Sequence, residues 1–366
     1  MNLREKIGQL FMIGFTGTEV TTDLVAFIKE YQPGGLILFK RNLQTADQII
    51  ALTNQAQELS GPLPFLISID QEGGRVSRLP SGFTIFPPCA LLGHCGSVEL
   101  AYRAASVTAA ELRAVGINMN MAPVLDVDSN PRNPIIGDRA FGRTPEQVSV
   151  LGEATVSGLH AHRIVACGKH FPGHGDTHAD SHLELPVVEA PVERLETVEL
   201  PPFRHAIGHG LTTMMTAHVL YPALDSAHPA TLSPTILTRL LRRQLGFSGL
   251  VLTDDLEMRA ILDHYGIAEA AVQSLQAGAD MLLICKEMDR EIAALEAVHT
   301  AVKDGTISET RIDESLSRIR QIKERFLLPY IPADPITAAR IIGQREHQAV
   351  LAAITHGGEQ RMKAPA

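Results

Sequence analysis

The sequence predicts an α/β protein folded as a (β/α)8 TIM barrel, and two observations carry that expectation. Eight short apolar runs alternate with amphipathic helical stretches along most of the 366 residues. At seven of the eight runs an ionisable residue sits at or just past the carboxyl end, the face on which such a barrel assembles its active site. The rival is an open, doubly wound sheet, which requires one or two of these runs not to be strands.

The runs fall at 10–15, 35–39, 65–69, 118–125, 164–168, 212–217, 249–252 and 280–284. Helical patterns lie between them near 22–31, 45–59, 97–115, 145–162, 192–208, 233–245 and 266–277, and another follows near 288–303. Thr144 and Pro145 form a helix start signal, because proline's missing N–H is not needed at the first helical position. The ionisable residues at the strand ends are Lys40, Asp70, Asp126, Lys169 with His170, His218, Asp254 and Lys286. Beyond about residue 327 the pattern is interrupted by Pro329, Pro332 and Pro335; a helix-like stretch follows near 336–355, and 357–366 reads as a frayed tail. The expected organisation is one catalytic barrel domain over 1–327 and a short helical C-terminal extension over 328–366.

A net charge of −9 gives nucleic acid and anionic membranes nothing to be attracted to. The start Met1-Asn2-Leu3-Arg4-Glu5-Lys6 places charges where a signal peptide keeps its apolar core, and no apolar run reaches membrane-spanning length. A cytoplasmic monomer without a cofactor is the expectation. Cys89, Cys95, Cys167 and Cys285 are scattered, with no Cys-x-x-Cys pair, so neither disulfides nor a cysteine zinc site is expected.

Chemistry is densest at 169–182, where Lys169, His170, His174, His178 and His182 alternate with Asp176 and Asp180 around Pro172, Gly173 and Gly175. A strand end followed by a flexible loop is where an α/β enzyme keeps catalytic groups, whereas a plain surface loop has no need of Lys169 and His170 on the strand itself. The four-residue histidine spacing also suggests a metal-dependent hydrolase. Pro172, Gly173 and Gly175 make a helix there improbable, so the spacing does not place the rings on one face. No metal is expected.

A second constellation is the strand 249–252 running into Thr253, Asp254, Asp255 and Leu256. Paired acids at a strand end suit a carboxylate nucleophile or a metal ligand. Side chains alternate along a strand, so only one of the two is expected to face the barrel mouth, and Asp255 is the better candidate for helix capping. A third lies at Asp70-Gln71-Glu72-Gly73-Gly74-Arg75, with Arg78 beyond, and a fourth at Gly137-Asp138-Arg139-Ala140-Phe141. Gly73 and Gly74 point to a tight turn that brings backbone near a ligand.

The run Lys169-His170-Phe171-Pro172-Gly173-His174-Gly175, followed after four residues by Asp180-Ser181-His182, resembles the signature of bacterial β-N-acetylglucosaminidases of glycoside hydrolase family 3. Gly246-Phe247-Ser248-Gly249 leading to Thr253-Asp254-Asp255-Leu256 is similar to that family's nucleophile strand, and the resemblance spans about residues 1 to 330. It implies a retaining enzyme that removes terminal, non-reducing N-acetylglucosamine through a covalent glycosyl-enzyme, in the manner of the single-domain cytoplasmic kind that serves cell-wall turnover. By the same resemblance Asp254 is the nucleophile and His182, paired with Asp180, the acid/base. Asp70, Arg78, Arg139, Lys169 and His170 bind the sugar. Many relatives carry a second α/β domain after the barrel; here every catalytic group is expected from the barrel or its loops.

A histidine in the acid/base role is chemically reasonable. Imidazole titrates near neutral pH, and an adjacent carboxylate fixes its tautomer and favours its protonated form. For Arg75 and Arg143 a loop-shaping salt bridge and a ligand contact are equally open. The absence of tryptophan counts against a long polysaccharide groove but allows a pocket that grips a single sugar by hydrogen bonds. Within the family, a phosphorylase and a β-glucosidase stay open as alternatives.

Overall fold

Parallel strands that bury both faces read as unbroken apolar runs, and the eight runs of this chain form such strands. The computed structural model describes residues 1–178, 180–181 and 183–363, without the side chains of Met362 and Lys363. Its strands are β1 (Phe11–Ile13), β2 (Gly35–Leu38), β3 (Leu66–Ile69), β4 (Met119–Asn120), β5 (Val165–Phe171), β6 (Thr213–Thr216), β7 (Leu250–Asp255) and β8 (Met281–Ile284). They pair in sequence order and close into a barrel, with β1 on β8 in the register Phe11 to Leu282, Met12 to Leu283 and Ile13 to Ile284. The open-sheet alternative falls with that closure.

Three strands differ from the sequence expectation in ways that move the site. β4 is only two residues long, because Pro123 has no N–H for the ladder. The chain nonetheless stays alongside β5, with the carbonyls of Ala122 and Pro123 accepting from the amides of Cys167 and Lys169. β5 runs on to Phe171, so Lys169 and His170 are strand residues, next to a register shift against β6 between Gly168 and Phe171. β7 continues through Asp254 and Asp255, its Thr253 hydroxyl accepting from the Leu283 amide at 2.9 Å.

The helices fill the outer layer. Thr144 caps Pro145–Ala161 through the Gln147 amide, as the start signal predicts. The pattern near 192–208 is not one helix. It breaks into Val192–Arg194, a wide turn at Leu195–Glu199 closed by the Leu200 amide on the Leu195 carbonyl, and Pro201–Gly208. Pro201 and Pro202 lack the donors that a regular turn needs. At the amino end of the barrel the fully buried Asp280 receives Arg242, Arg311 and Arg318, and the last two tie helix Glu309–Leu327 to the barrel floor. Among the described residues no helix is long and apolar enough to cross a membrane.

Two helices follow Pro332: Pro335–Ile341 and Arg345–Lys363. The frayed tail expected from Gly357 onward is helical as far as Lys363. Gly358 serves close packing, since a Cβ there would lie 2.5 Å from Leu91 Cδ1, whereas one on Gly357 would meet Cys95 Sγ at an ordinary 3.5 Å. Both neighbours belong to a helix in the β3 loop, Cys89–Cys95, that the sequence pattern does not announce. The buried Glu111 joins these parts, accepting from the Thr84 amide and hydroxyl, the Gly343 amide and His347 Nδ1 at 2.7–2.9 Å.

Candidate active site

The carboxyl ends of the strands surround a cavity of ≈ 320 Å³, within the size range of small-ligand sites. Its walls include Asp70 and Arg78 after β3, Arg139 after β4, Lys169 and His170 on β5, and Asp254 on β7. Six of the eight residues singled out in the sequence thus converge from four strands.

One wall is a network of charge. Lys169, 2% exposed, places Nζ 2.6 Å from Asp70 Oδ1 and 2.7 Å from Glu72 Oε1. Arg139 meets Glu72 with two parallel bonds of 2.8 Å, the fork geometry that a guanidinium offers a carboxylate. Burial alone would raise the Glu72 carboxyl, but Lys169 and Arg139 outweigh it and hold it far below the usual carboxylate range. Burial likewise opposes the Lys169 charge, yet Asp70 and Glu72 keep its pKa above the ordinary value. Arg78 lies 3.8 Å from Asp70, and its buried Nε has no hydrogen-bond partner among the described residues. An unsatisfied donor on a cavity wall is suited to a ligand oxygen.

A second assembly holds the histidines. The fully buried Asp126 accepts from the His170 amide at 3.1 Å and the His174 amide at 2.7 Å, while its other oxygen takes His170 Nδ1 at 2.7 Å. This fixes the His170 proton on Nδ1 and turns Nε2 away from Asp126. His174 lies between Thr177 Oγ1 and Ser181 Oγ, and burial lowers its pKa to about 4, so it is neutral. His178 Nδ1 meets Asn130. These described rings turn to different partners rather than to a common centre.

Asp254 receives the Asp255 amide on Oδ1 at 2.8 Å. Burial pushes its carboxyl up, but His218, His170, that amide and Lys169 more than reverse it, so Asp254 is an anion. Asp255 behaves oppositely: burial pushes it up to about 7 while it accepts the Glu257 amide at 3.0 Å. Both acids line the cavity, so alternation does not exclude Asp255 as the sequence reading expects. β7 shifts register against β8 between Leu252 and Asp255, which breaks the regular alternation.

Residues 2–322 match the glycosyl hydrolase family 3 N terminal domain. The chain belongs to glycosyl hydrolase family 3. It is 40% identical over 323 residues to a β-hexosaminidase of Nitrosomonas eutropha, which covers 86% of this chain and 92% of that protein. The solved structure of a family 3 β-N-acetylglucosaminidase from Paenibacillus sp. str. FPU-7 aligns with a TM-score of 0.95 at 45% identity, over 98% of this chain and 69% of that one. NagZ from Neisseria gonorrhoeae, in complex with N-trifluoroacetyl-D-glucosamine, aligns with a TM-score of 0.79 at 33% identity, over 95% of this chain and 98% of that one. The family makes the protein a glycoside hydrolase on a TIM-barrel domain.

One described site residue expected for this family 3 enzyme, Asp180, is not among those lining the cavity. Asp180 belongs to the loop after β5 and takes the Leu183 and Glu184 amides on its carbonyl, and His182 lies outside the described residues. Arg75 bonds to Asp138 and the Ile135 carbonyl, and Arg143 lies 3.8 Å from Asp128, so both shape loops. Sequence reasoning passes over Glu72 and Arg41, which also line the cavity. Glu72 had a signal, standing two residues beyond Asp70 at the same strand end.

Proposed function

We propose that the protein is a retaining β-N-acetylglucosaminidase that removes terminal, non-reducing N-acetylglucosamine from small glycans. The observation that carries this reading is Asp254, an ionised carboxylate at the end of β7 in a cavity walled by sugar-binding types of side chain. Asp254 attacks the anomeric carbon as the bond to the leaving oxygen breaks and His182 donates its proton to that oxygen. Water then attacks the glycosyl-enzyme from the vacated side, His182 takes the water's proton, and Asp254 departs with the β configuration retained. Asp180 holds the ring in its working tautomer.

Asp70, Lys169 and His170 grip hydroxyls from one side, and Arg78 offers its buried Nε. Arg139 acts chiefly by bracing Glu72, which in turn holds Lys169. The relatives named as β-hexosaminidase and β-N-acetylglucosaminidase support N-acetylglucosamine as the sugar; the setting we propose is turnover of cell-wall products in the cytoplasm, with a monomer as the working form. The barrel over 1–327 carries the chemistry and 328–366 braces it.

The test compares rates on aryl β-N-acetylglucosaminide and aryl β-glucoside, then labels the enzyme with a 5-fluoro glycosyl inactivator. A strong preference for the first and a mass increment on Asp254 are expected. Comparable rates would make the protein a β-glucosidase, and a label on Asp255 or Glu257 would remove Asp254 as nucleophile.

A further inference from the structure

Away from the cavity, on the outer helical layer, three side chains with metal-ligand chemistry converge. Glu153 lies on helix Pro145–Ala161, His205 on helix Pro201–Gly208, and His209 immediately after it, four residues from His205. One ligand atom from each lies within 4.8 Å of the other two. His205 Nε2 and Glu153 Oε2 are 2.7 Å apart, and the two imidazoles stack with centroids 4.1 Å apart and planes 25° from parallel. The His205 carbonyl accepts His209 Nδ1–H at 2.8 Å, which leaves the lone pair on Nε2. A backbone carbonyl in that role is what orients a histidine toward a metal.

We propose that Glu153, His205 and His209 form a binding site for a divalent transition metal of the zinc class, separate from the catalytic cavity. Two imidazoles and one carboxylate, with no thiolate, suit Zn²⁺ in a tetrahedron whose fourth corner is water. Ligand atoms in such a site stand about 3.4 Å apart at ~2.1 Å from the ion, so side-chain rotations of roughly an ångström complete it. Glu153 and His205 are 35% and 29% exposed and His209 is exposed, so the ion enters from solvent and its water stays accessible. Helix Pro201–Gly208 is the first long regular helix after the loop that bears Asp180. A metal here therefore clasps the return limb of that loop to helix Pro145–Ala161, which is a structural role.

The full chain, stripped with a chelator and dialysed, is titrated with ZnCl2 by calorimetry and melted with and without zinc. A site of 1:1 stoichiometry is expected, with a melting point raised by several degrees at zinc about 100-fold above its Kd. His209→Ala should abolish that site and its thermal shift, Glu153→Gln should weaken it, and both should keep the metal-free activity of the wild type. Cobalt substitution should give tetrahedral d–d bands that His205→Ala removes. Zinc binding and thermal shift unchanged in His209→Ala and His205→Ala, or no stoichiometric binding at all, would overturn the proposal.

Discussion

His170 donates Nδ1–H to the fully buried Asp126 at 2.7 Å, and Asp126 has the adjacent amides of His170 and His174 on its other oxygen. The aspartate therefore holds both the tautomer of His170 and the turn that follows it. Asp126→Ala is expected to lower kcat/KM on an aryl N-acetylglucosaminide by about 10- to 100-fold, the rate equivalent of the roughly 1.5–3 kcal/mol carried by a hydrogen bond to a charged group. Asp126→Asn, which keeps an acceptor, should lose less. Steady-state kinetics on folded variants check this, and an Asp126→Ala enzyme within twofold of wild type would remove the aspartate from the mechanism.

Glu72 supports two buried cations, and its removal leaves them facing each other. Glu72→Gln is expected to destabilise the fold by ~3–5 kcal/mol, the cost of breaking a buried pair on one side, and to raise KM as Lys169 loses its position. The pH dependence has a definite sign. A carboxyl held below its unfolded value contributes stability above that value and loses it as pH falls through the folded one. The wild type should therefore lose an increment of stability in acid, at pH values below the ordinary carboxylate range, that Glu72→Gln lacks. Urea melts from about pH 6 down to about pH 2, which brackets the unfolded carboxyl value of about 4.3 below which the loss begins, measure it; parallel curves for the two proteins would contradict the network.

A general acid matters only when the leaving group needs a proton. His182→Ala is expected to lose orders of magnitude on a natural disaccharide and far less on glycosylation by a nitrophenyl sugar. Its base role vanishes too, so a burst should appear, and azide should give a β-glycosyl azide. Phosphate added to the wild type addresses the phosphorylase alternative, which predicts sugar 1-phosphate in place of free sugar. Equal losses on both leaving groups with no burst would exclude His182.

Lys323 lies fully buried in helix Glu309–Leu327, bonded to Gln9 Oε1 at 3.1 Å, and burial lowers its pKa to about 7. The unfolded chain holds that proton up to about pH 10.4, so between these values unfolding takes up a proton and stability rises with pH. Lys323→Met should flatten this rise and add up to a few kcal/mol near neutrality, on the order of the burial cost of the charge. Denaturation midpoints at pH 7 and pH 9.5 (roughly the limits of the window) decide the matter; an unchanged slope in Lys323→Met would mean the amine is charged in the fold.

The barrel is legible in the sequence because each strand is buried on both faces, and Asp70, Lys169 and Asp254 are legible because chemistry gathers at strand ends. Glu72 is harder to read, since its meaning depends on Arg139, 67 residues away in sequence. The break after Leu195 turns on where Pro201 falls within an otherwise helical period. Gly357 and Gly358 mislead for a different reason. A glycine lowers helix propensity locally, yet it also permits close approach, and at Gly358 the neighbouring Leu91 makes the second effect prevail.

Glu111 links Thr84, on the same loop as Arg78, to Gly343 and His347 of the C-terminal helices. Cutting the chain at residue 330 would keep all eight strands and helix Glu309–Leu327. It would also strip Glu111 of two donors and leave the Leu91 and Cys95 side of helix Cys89–Cys95 bare to water. Barrel closure is thus complete with β8, whereas the bracing of the loop that bears Arg78 reaches as far along the chain as His347.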